Sequence, residues 1–305
     1  MATQSLIAGY ATIGQGAGPL IVTERAGIFA RHGLDVKTRI MGGAKGVVRG
    51  LMEGEILFGN LAAPALLRAG VEGTADLVFL TGGINQQFLV ARPRFRRRGE
   101  LDGARIGFVG DGGLNDLLVR FIIERFAAQG IRTSAVRLKR GGERGAAPLF
   151  DGSCDALVMT PPEAVEAKMG GCPFVVDFAE FGFNYALGGI AARRRTVEQS
   201  ADLARRFVTA YVEGMHCYRN DREFTITIQQ EYSGIADRAV AEGTYDLTRP
   251  GMPELPYPVV AALGEALKMM SPDLPAAATA DPRRFVDDRF VRELDEAGFV
   301  RRLTP

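Results

Sequence analysis

The feature that most constrains the fold of this chain is an internal repeat, whose first copy ends at Pro64 and second copy at Pro162. Each copy contains an apolar run, a glycine-rich turn, a helical segment, a second apolar run, a Gly-Gly pair, a short helical segment and a third apolar run. Residues 51–54 (Leu-Met-Glu-Gly) match residues 149–152 (Leu-Phe-Asp-Gly). This order predicts two βαβαβ units, each with a parallel sheet and right-handed crossovers.

Extended segments follow both copies, at residues 85–91 and 184–192. A chain that leaves one lobe and later returns to it needs two such crossings. The prediction is therefore an α/β protein with two Rossmann-like lobes joined by two crossover segments and a mostly helical C-terminal third. Lobe one comprises residues 1–89 plus 188–305, lobe two comprises residues 90–187, and the ligand cleft is expected between them.

Composition excludes several classes of function. The net charge of +1 lacks the basic excess of a nucleic-acid binder, so no nucleic-acid partner is expected. No apolar run reaches the ~18 residues of a membrane span. The sequence contains two arginine runs, at residues 96–98 and 193–195. They could form an anion-binding patch, but runs of this kind are more often solvated charge in loops.

Cysteine and histidine usage argues against a metal site. The three cysteines lack metal-ligand spacing, and the sequence contains only two histidines. Three free thiols are the favoured interpretation, and one disulfide with a thiol left over is the alternative. The first five residues do not resemble a signal peptide. We therefore expect a cytoplasmic protein, or a periplasmic one if a leader has been removed.

The glycine-rich turns are the candidate binding site, because ligands of open α/β sheets sit outside the carboxyl ends of the strands. Turns that open into helices expose backbone N–H groups at the positive end of the helix dipole, which suits an anionic group. One such turn alone is usually only a tight connection, whereas four on facing edges favour a site. The predicted ligand-binding residues are Gly14, Gln15, Gly16, Gly18, Gly43, Ala44, Lys45, Asn60, Leu61 and Ala62 in the first copy, and Asp111, Gly112, Gly113, Leu114, Asn115 and Thr160 in the second.

Residues beside the crossover segments complete the predicted site. Asn85 and Gln86 precede the first crossing. Phe181, Phe183 and Tyr185 precede the return crossing, where they form either an apolar wall for the ligand or packing between the lobes. No nucleotide-binding fingerprint is present in the glycine-rich turns.

Several motifs resemble one known family. They are the Glu-Arg-Ala-Gly-Ile-Phe run at residues 24–29 with His-Gly-Leu-Asp-Val at 32–36, Gly-Glu-Ile at 54–56, Leu-Asp-Gly-Ala-Arg-Ile-Gly at 101–107, and Phe-Val-Asp-Asp-Arg-Phe at 285–290. Together they resemble the NMT1-like branch of the type II periplasmic-binding-protein fold, which binds sulfonates, taurine, nitrate and thiamine-precursor pyrimidines. The chain departs from this pattern at Leu57, where the family often has Asp, although Asp155 keeps the acid in the second copy.

The resemblance implies a solute-binding protein of an ABC importer, which closes at a hinge around a small organic molecule and is recognised by a membrane permease. The expected ligand is a sulfonate, a carboxylate or a pyrimidine-like molecule, and an anion is favoured. A monomer without cofactor is expected. The alternative is a cytoplasmic enzyme on the same scaffold, such as a pyrimidine synthase, decarboxylase or desulfinase, and a sensor domain is a third hypothesis. No catalytic residue or metal ligand is predicted, because His32 and His216 fall in helical patterns and Cys154 and Cys172 precede strands, at the edge opposite the site.

Overall fold

A computed structural model describes residues 4–84, 86–110, 112–138, 145–182 and 188–303 of the chain. The chain divides into two units. Unit 1 comprises Met1–Asn85 with Tyr185–Pro305, and unit 2 comprises Gln86–Asn184. Each unit contains its own five-stranded sheet.

The sheet of unit 1 is built from the first repeat copy and one returning strand. Its strands are β1 (Gln4–Tyr10), β2 (Leu34–Ile40), β3 (Phe58–Ala62), β4 (Leu77–Phe79) and β10 (Gly188–Arg193). In space the order is β2-β1-β3-β10-β4. Strand β1 runs parallel to both β2 and β3, whereas β10 runs antiparallel to both β3 and β4.

The sheet of unit 2 repeats this arrangement with the second copy. Its strands are β5 (Phe88–Ala91), β6 (Arg105–Phe108), β7 (Ser134–Arg137), β8 (Ala156–Met159) and β9 (Phe174–Asp177). The order β7-β6-β8-β5-β9 matches that of unit 1 position by position. Strand β6 is parallel to β7 and β8, and β5 is antiparallel to β8 and β9. The predicted pair of βαβαβ units is confirmed, and each crossover segment enters a sheet as its antiparallel strand.

Helices cover the sheets and make up most of the C-terminal third. Unit 1 contains α1 (Gly18–Arg25), α2 (Ile28–Arg31), α3 (Ala44–Glu53), α4 (Ala63–Val71), α8 (Arg194–Gln199), α9 (Ala201–Asn220), α10 (Arg222–Ser233), α11 (Arg238–Thr248), α12 (Val260–Met270), α13 (Arg289–Glu296) and α14 (Phe299–Leu303). Unit 2 contains α5 (Leu114–Ala127), α6 (Ala147–Phe150) and α7 (Glu163–Met169). None of the helices in the described ranges is long and apolar enough to span a membrane.

Helix α9 ties the C-terminal third to the first repeat copy. Its Phe207 ring stacks on Phe58 of β3 at 3.9 Å between centroids and lies 5.0 Å from Phe29 of α2. Its Gly214 lets α1 approach closely, since a Cβ there would lie 1.8 Å from Thr23 Oγ1. The sheet of unit 1 is therefore packed against helices from both ends of the sequence.

The three cysteines are free thiols, as the sequence analysis favoured. Cys154 and Cys172 are buried, and Cys217 is partly buried. No disulfide therefore links the two repeat copies or the C-terminal helices through these residues.

Candidate functional site

In unit 1, the carboxyl ends of β1 and β3 meet the start of α3. The N–H of Ala11, just beyond β1, donates to Asn60 O at 3.1 Å, and Ala11 O accepts the N–H of Gly43 at 2.7 Å. Ala11 therefore holds two of the predicted site segments together, one from β3 and one from the turn before α3.

The start of α3 offers backbone donors and carries no acidic residue in its first turn. The first helical hydrogen bond runs from Val47 N to Gly43 O at 3.1 Å. The N–H groups of Ala44, Lys45 and Gly46 therefore belong to the helical turn that has no intrahelical acceptor. Lys45 is exposed and adds positive charge to the positive end of the helix dipole. This end of α3 is suited to an anion.

Two helices of the C-terminal third, α9 and α10, contact the turn from Gly14 to Gly18. Tyr232 of α10 donates its O–H to Gly14 O at 3.1 Å, and a Cβ at Gly18 would lie 2.6 Å from the Tyr218 ring. Burial, followed by the nearby Tyr218 and Tyr10, raises the pKa of Tyr232 well above its ordinary value, so the hydroxyl remains a neutral donor.

Gln15 faces these helices as well. Its side chain is buried, at 2% exposure, and its Oε1 lies 2.8 Å from Thr248 Oγ1 of α11. The predicted ligand contact of Gln15 remains a prediction, and the structure adds a supporting contact for the turn that sequence reasoning missed. No local sequence signal points to it, because the two residues are 233 positions apart.

In unit 2, the predicted turn opens into α5, and its N-terminus holds an acid from the chain itself. Asp116, at 3% exposure, accepts the N–H of Gly112 at 2.8 Å. Arg120 Nε donates to the same carboxylate at 2.9 Å. The Gly112 N–H is thus already satisfied, and Arg120 balances the charge of Asp116.

Neutral polar side chains lie where β8 ends. Asn115 Nδ2 donates to Val158 O at 3.3 Å, which fixes the start of α5 against β8. Thr160 is the first residue after β8, and its carbonyl oxygen accepts the N–H of Ala164 at 3.0 Å. Gln86 and Gln87 precede the neighbouring strand β5, and both are buried. Sequence reasoning named Gln86 and missed Gln87.

The predicted apolar wall is described only in part. Phe181 packs within unit 2, where its ring meets Phe121 of α5 edge-on at 5.1 Å and lies 6.4 Å from Phe178. Four predicted site residues lie outside the described residues: Asn85, Asp111, Phe183 and Tyr185.

The remaining predicted residues lie on the same edges. Leu61 is buried in β3, Ala62 precedes α4 directly, and Leu114 is the buried first residue of α5. Gly16 belongs to the short 3-10 helix Gln15–Ala17, and Gly113 caps α5. The structure thus brings the predicted residues that it describes to one edge of each sheet.

The cysteines lie away from these edges. Cys154 and Cys172 precede β8 and β9, at the amino ends of the strands. Burial, reinforced by Asp155, raises the pKa of Cys154 to about 12, and burial also raises the pKa of Cys172. Both thiols are therefore poor nucleophiles near neutral pH.

The two histidines lie in helical parts of unit 1, His32 at the end of α2 and His216 within α9. His32 Nε2 lies 2.7 Å from Glu213 Oε2, and Arg31 donates to the other oxygen of this carboxylate at 2.6 Å. Among the described residues, no cluster of three or more His, Cys, Asp or Glu side chains is arranged to hold a metal ion.

Members of both arginine runs form ion pairs within their own units. Arg97 pairs with Glu100 at 3.0 Å and Arg98 with Glu180 at 2.6 Å. Arg194 pairs with Asp76 at 3.1 Å. These contacts favour the interpretation of the runs as surface charge that pairs locally.

Several solved structures share the fold of this chain. The periplasmic sulfonate-binding protein SsuA from Methylobacillus flagellatus KT, described as part of a sulfonate ABC transporter, aligns over 98% of this chain and 96% of its own, at 20% identity and a TM-score of 0.73. The periplasmic nitrate-binding protein NrtA from Synechocystis PCC 6803 aligns over 100% and 91%, at 14% identity and a TM-score of 0.72. The chain therefore has the two-lobed α/β fold of type II periplasmic binding proteins, as predicted.

An enzyme shares this fold. The desulfurization enzyme DszB aligns over 97% of this chain and 99% of its own, at 16% identity and a TM-score of 0.68.

No curated protein matches the sequence. The NMT1/THI5-like family model matches residues 16–223, which is more than half of the chain, and the chain belongs to that family.

Proposed function

We propose that this chain is the solute-binding protein of an ABC importer and that it traps a small anionic organic molecule by closure of its two units. The observation that carries the proposal is the repeat itself. Two sheets of identical strand order each gather glycine-rich turns and helix N-termini at their carboxyl edge. Such edges bind ligands in open α/β sheets. The sulfonate- and nitrate-binding proteins of the same fold support an anionic ligand for this chain.

The charges favour the edge of unit 1 for the anionic group. The first turn of α3 has no acid and contains Lys45, whereas the first turn of α5 contains the buried Asp116. The Asp116 carboxylate already accepts the Gly112 N–H and pairs with Arg120, so a ligand anion at this position would compete with an acid of the chain itself. In the described part of unit 2, Asn115 and Thr160 add neutral polar side chains to the edge, which suits an uncharged part of the ligand.

The permease of an ABC importer is the proposed partner, and the periplasm is the proposed compartment. The compartment is the one named for SsuA and NrtA. We further propose that the protein is a monomer that binds no nucleic acid, in line with its net charge of +1.

An enzyme is the second candidate, because DszB shares the fold over nearly its whole length. Chemistry on this scaffold would need a base or nucleophile beside the ligand. The buried thiols of Cys154 and Cys172 lie at the opposite ends of the strands, and His32 is engaged with Glu213. These positions favour binding over catalysis.

The test is to identify what the protein retains. Pure protein is incubated with sulfonates, aromatic carboxylates and pyrimidines, washed, denatured and examined by mass spectrometry. We expect one class of anion to be recovered at its original mass. A retained compound of altered mass, absent from a protein-free control, would contradict the binding function and favour the enzyme.

A further inference from the structure

Gln87 lies at the carboxyl edge of the sheet in unit 2. Strand β5 starts at the next residue and pairs with β8 so that Phe88 faces Met159. Continuing this antiparallel register by one residue places Gln87 opposite Thr160. On its other side, Gln87 O accepts the N–H of Phe178 at 3.1 Å. The backbone of Gln87 is thus held between two chain segments, next to the predicted site residue Thr160.

The side chain of Gln87 is buried with an unsatisfied acceptor. The residue is 5% exposed, and its Oε1 has no hydrogen-bond partner among the residues that the structure describes. A buried carbonyl oxygen has lost its hydrogen bonds to water, so leaving it without a donor costs free energy. Such an atom in a native protein calls for a donor from outside the chain.

Two neighbouring polar side chains at this edge, those of Asn115 and Asp116, are hydrogen-bonded within the chain. Asn115 donates to Val158 O, and the carboxylate of Asp116 accepts both Gly112 N–H and Arg120. The unpartnered side-chain atoms of Tyr211 and Gln229 lie in helices of the C-terminal third and not at a sheet edge. Gln87 therefore combines an unpartnered acceptor with a place at the proposed ligand-binding edge.

We propose that Gln87 Oε1 accepts a hydrogen bond from the bound molecule, which must then carry an O–H or N–H donor besides its anionic group. This inference rests on the proposed function and narrows the class of ligand. Nitrate and an unsubstituted alkylsulfonate offer only acceptors, so they leave Gln87 Oε1 unsatisfied. A hydroxy or amino derivative of the same anion satisfies it. Gln87 is thus a residue that determines specificity, and the ligand class is a hydroxyl- or amino-bearing organic anion.

Matched pairs of probes that differ only in the donor test this inference. Calorimetric titration of the wild type would compare 2-hydroxyethanesulfonate with ethanesulfonate, and lactate with propionate. In the pair whose anionic group fits, we expect the hydroxylated member to bind about tenfold more tightly, because one hydrogen bond to a buried acceptor is gained.

Gln87→Met separates this role from a structural one. Methionine has a similar shape and needs no hydrogen-bond donor, so the hydroxyl preference should fall from about tenfold to about onefold. The variant without ligand should melt at the same temperature as the wild type or higher, because an unsatisfied buried group has been removed. A merely structural glutamine would instead lower the melting temperature. Gln129→Met, at an exposed position of unit 2, is the matched control and should change neither quantity.

Each outcome decides between the claims. Binding of either probe pair without discrimination overturns the inference and leaves the proposed function standing, as does a hydroxyl preference that persists in Gln87→Met. If neither pair binds to the wild type, the preference for small anions is overturned together with the inference. The comparison within the wild type is decisive even if Gln87→Met fails to fold.

Discussion

Gly189→Ala is expected to destabilise the protein by about 3 kcal/mol, the upper part of the range for overpacking. Gly189 lies in β10, the returning crossover strand, and pairs with Leu61 of β3. A Cβ at this position would lie 1.9 Å from Thr81 O and 2.8 Å from the backbone carbon of Gly82. Both neighbours are main-chain atoms, so no side-chain rotation relieves the overlap.

The close approach at Gly189 is reciprocal, which raises the expected cost. A Cβ on Gly83 would lie 3.0 Å from Gly189 Cα. The segment before the first crossing and the strand that returns from the second are therefore packed backbone to backbone. Because β10 pairs with β3 at Asn60 and Leu61, its displacement should also weaken ligand binding at the edge of unit 1.

Urea unfolding would measure the loss, with Gly99→Ala as the control. Gly99 is exposed, and nothing lies within 4 Å of a Cβ built there. The control should stay within about 0.5 kcal/mol of the wild type. Equal stability of the Gly189 and Gly99 variants would refute the backbone packing described here.

Asp155→Ala has the second large expected effect. Asp155 is 5% exposed and accepts the N–H of Arg105 at 3.0 Å, Arg105 Nε at 3.3 Å and an Arg94 guanidinium nitrogen at 2.7 Å. Breaking a buried ion pair costs about 3–5 kcal/mol. Both arginines keep part of their side chains in water, so about 2–3 kcal/mol is expected here. Asp76→Ala removes the exposed pair with Arg194 and should cost less than about 1 kcal/mol.

The contribution of Asp155 should vanish in acid. Burial alone would raise the pKa of this carboxyl, but hydrogen bonds from Arg105 and the charges of Arg105 and Arg94 outweigh burial and lower it. In the unfolded chain, the pKa of an Asp carboxyl is about 3.9. The stability that the carboxylate adds is therefore present above about pH 4 and disappears as the pH falls through the lower folded pKa. Denaturation of wild type and Asp155→Ala from pH 7 down to pH 3 should show the gap narrowing, and a constant gap would contradict this explanation.

The repeat explains what the sequence could predict. The matched segments at residues 51–54 and 149–152 precede β3 and β8, which occupy the same place in the two sheets. Leu57, where the chain departs from the family pattern, occupies the same place in its repeat copy as Asp155. The N–H of Leu57 donates to Ile7 O of β1, and the N–H of Asp155 donates to Arg105 O of β6, so both residues bond the first strand of their repeat copy. The carboxylate of Asp155 also binds Arg94 and Arg105. Local pattern thus fixed the order of strands and turns.

What the sequence could not predict depends on contacts between distant segments. The hydrogen bond from Tyr232 to Gly14 spans 218 positions, so the support of the first turn by the C-terminal helices left no local signal. Nothing in the local sequence singles out Gln87 rather than Gln86 as a site residue, since the two glutamines lie side by side before β5. The burial of Gln87 Oε1 without a donor depends on how β5 packs against its neighbouring strands, which the local sequence does not reveal.

Solution X-ray scattering tests the central claim, that the protein traps its ligand by closure, most directly. The radius of gyration would be measured without ligand and with a saturating amount of the compound recovered by mass spectrometry. Binding energy gained only in the closed state shifts the population towards that state. We predict a smaller radius with ligand. An unchanged radius at saturation would contradict closure of the two units around the bound molecule.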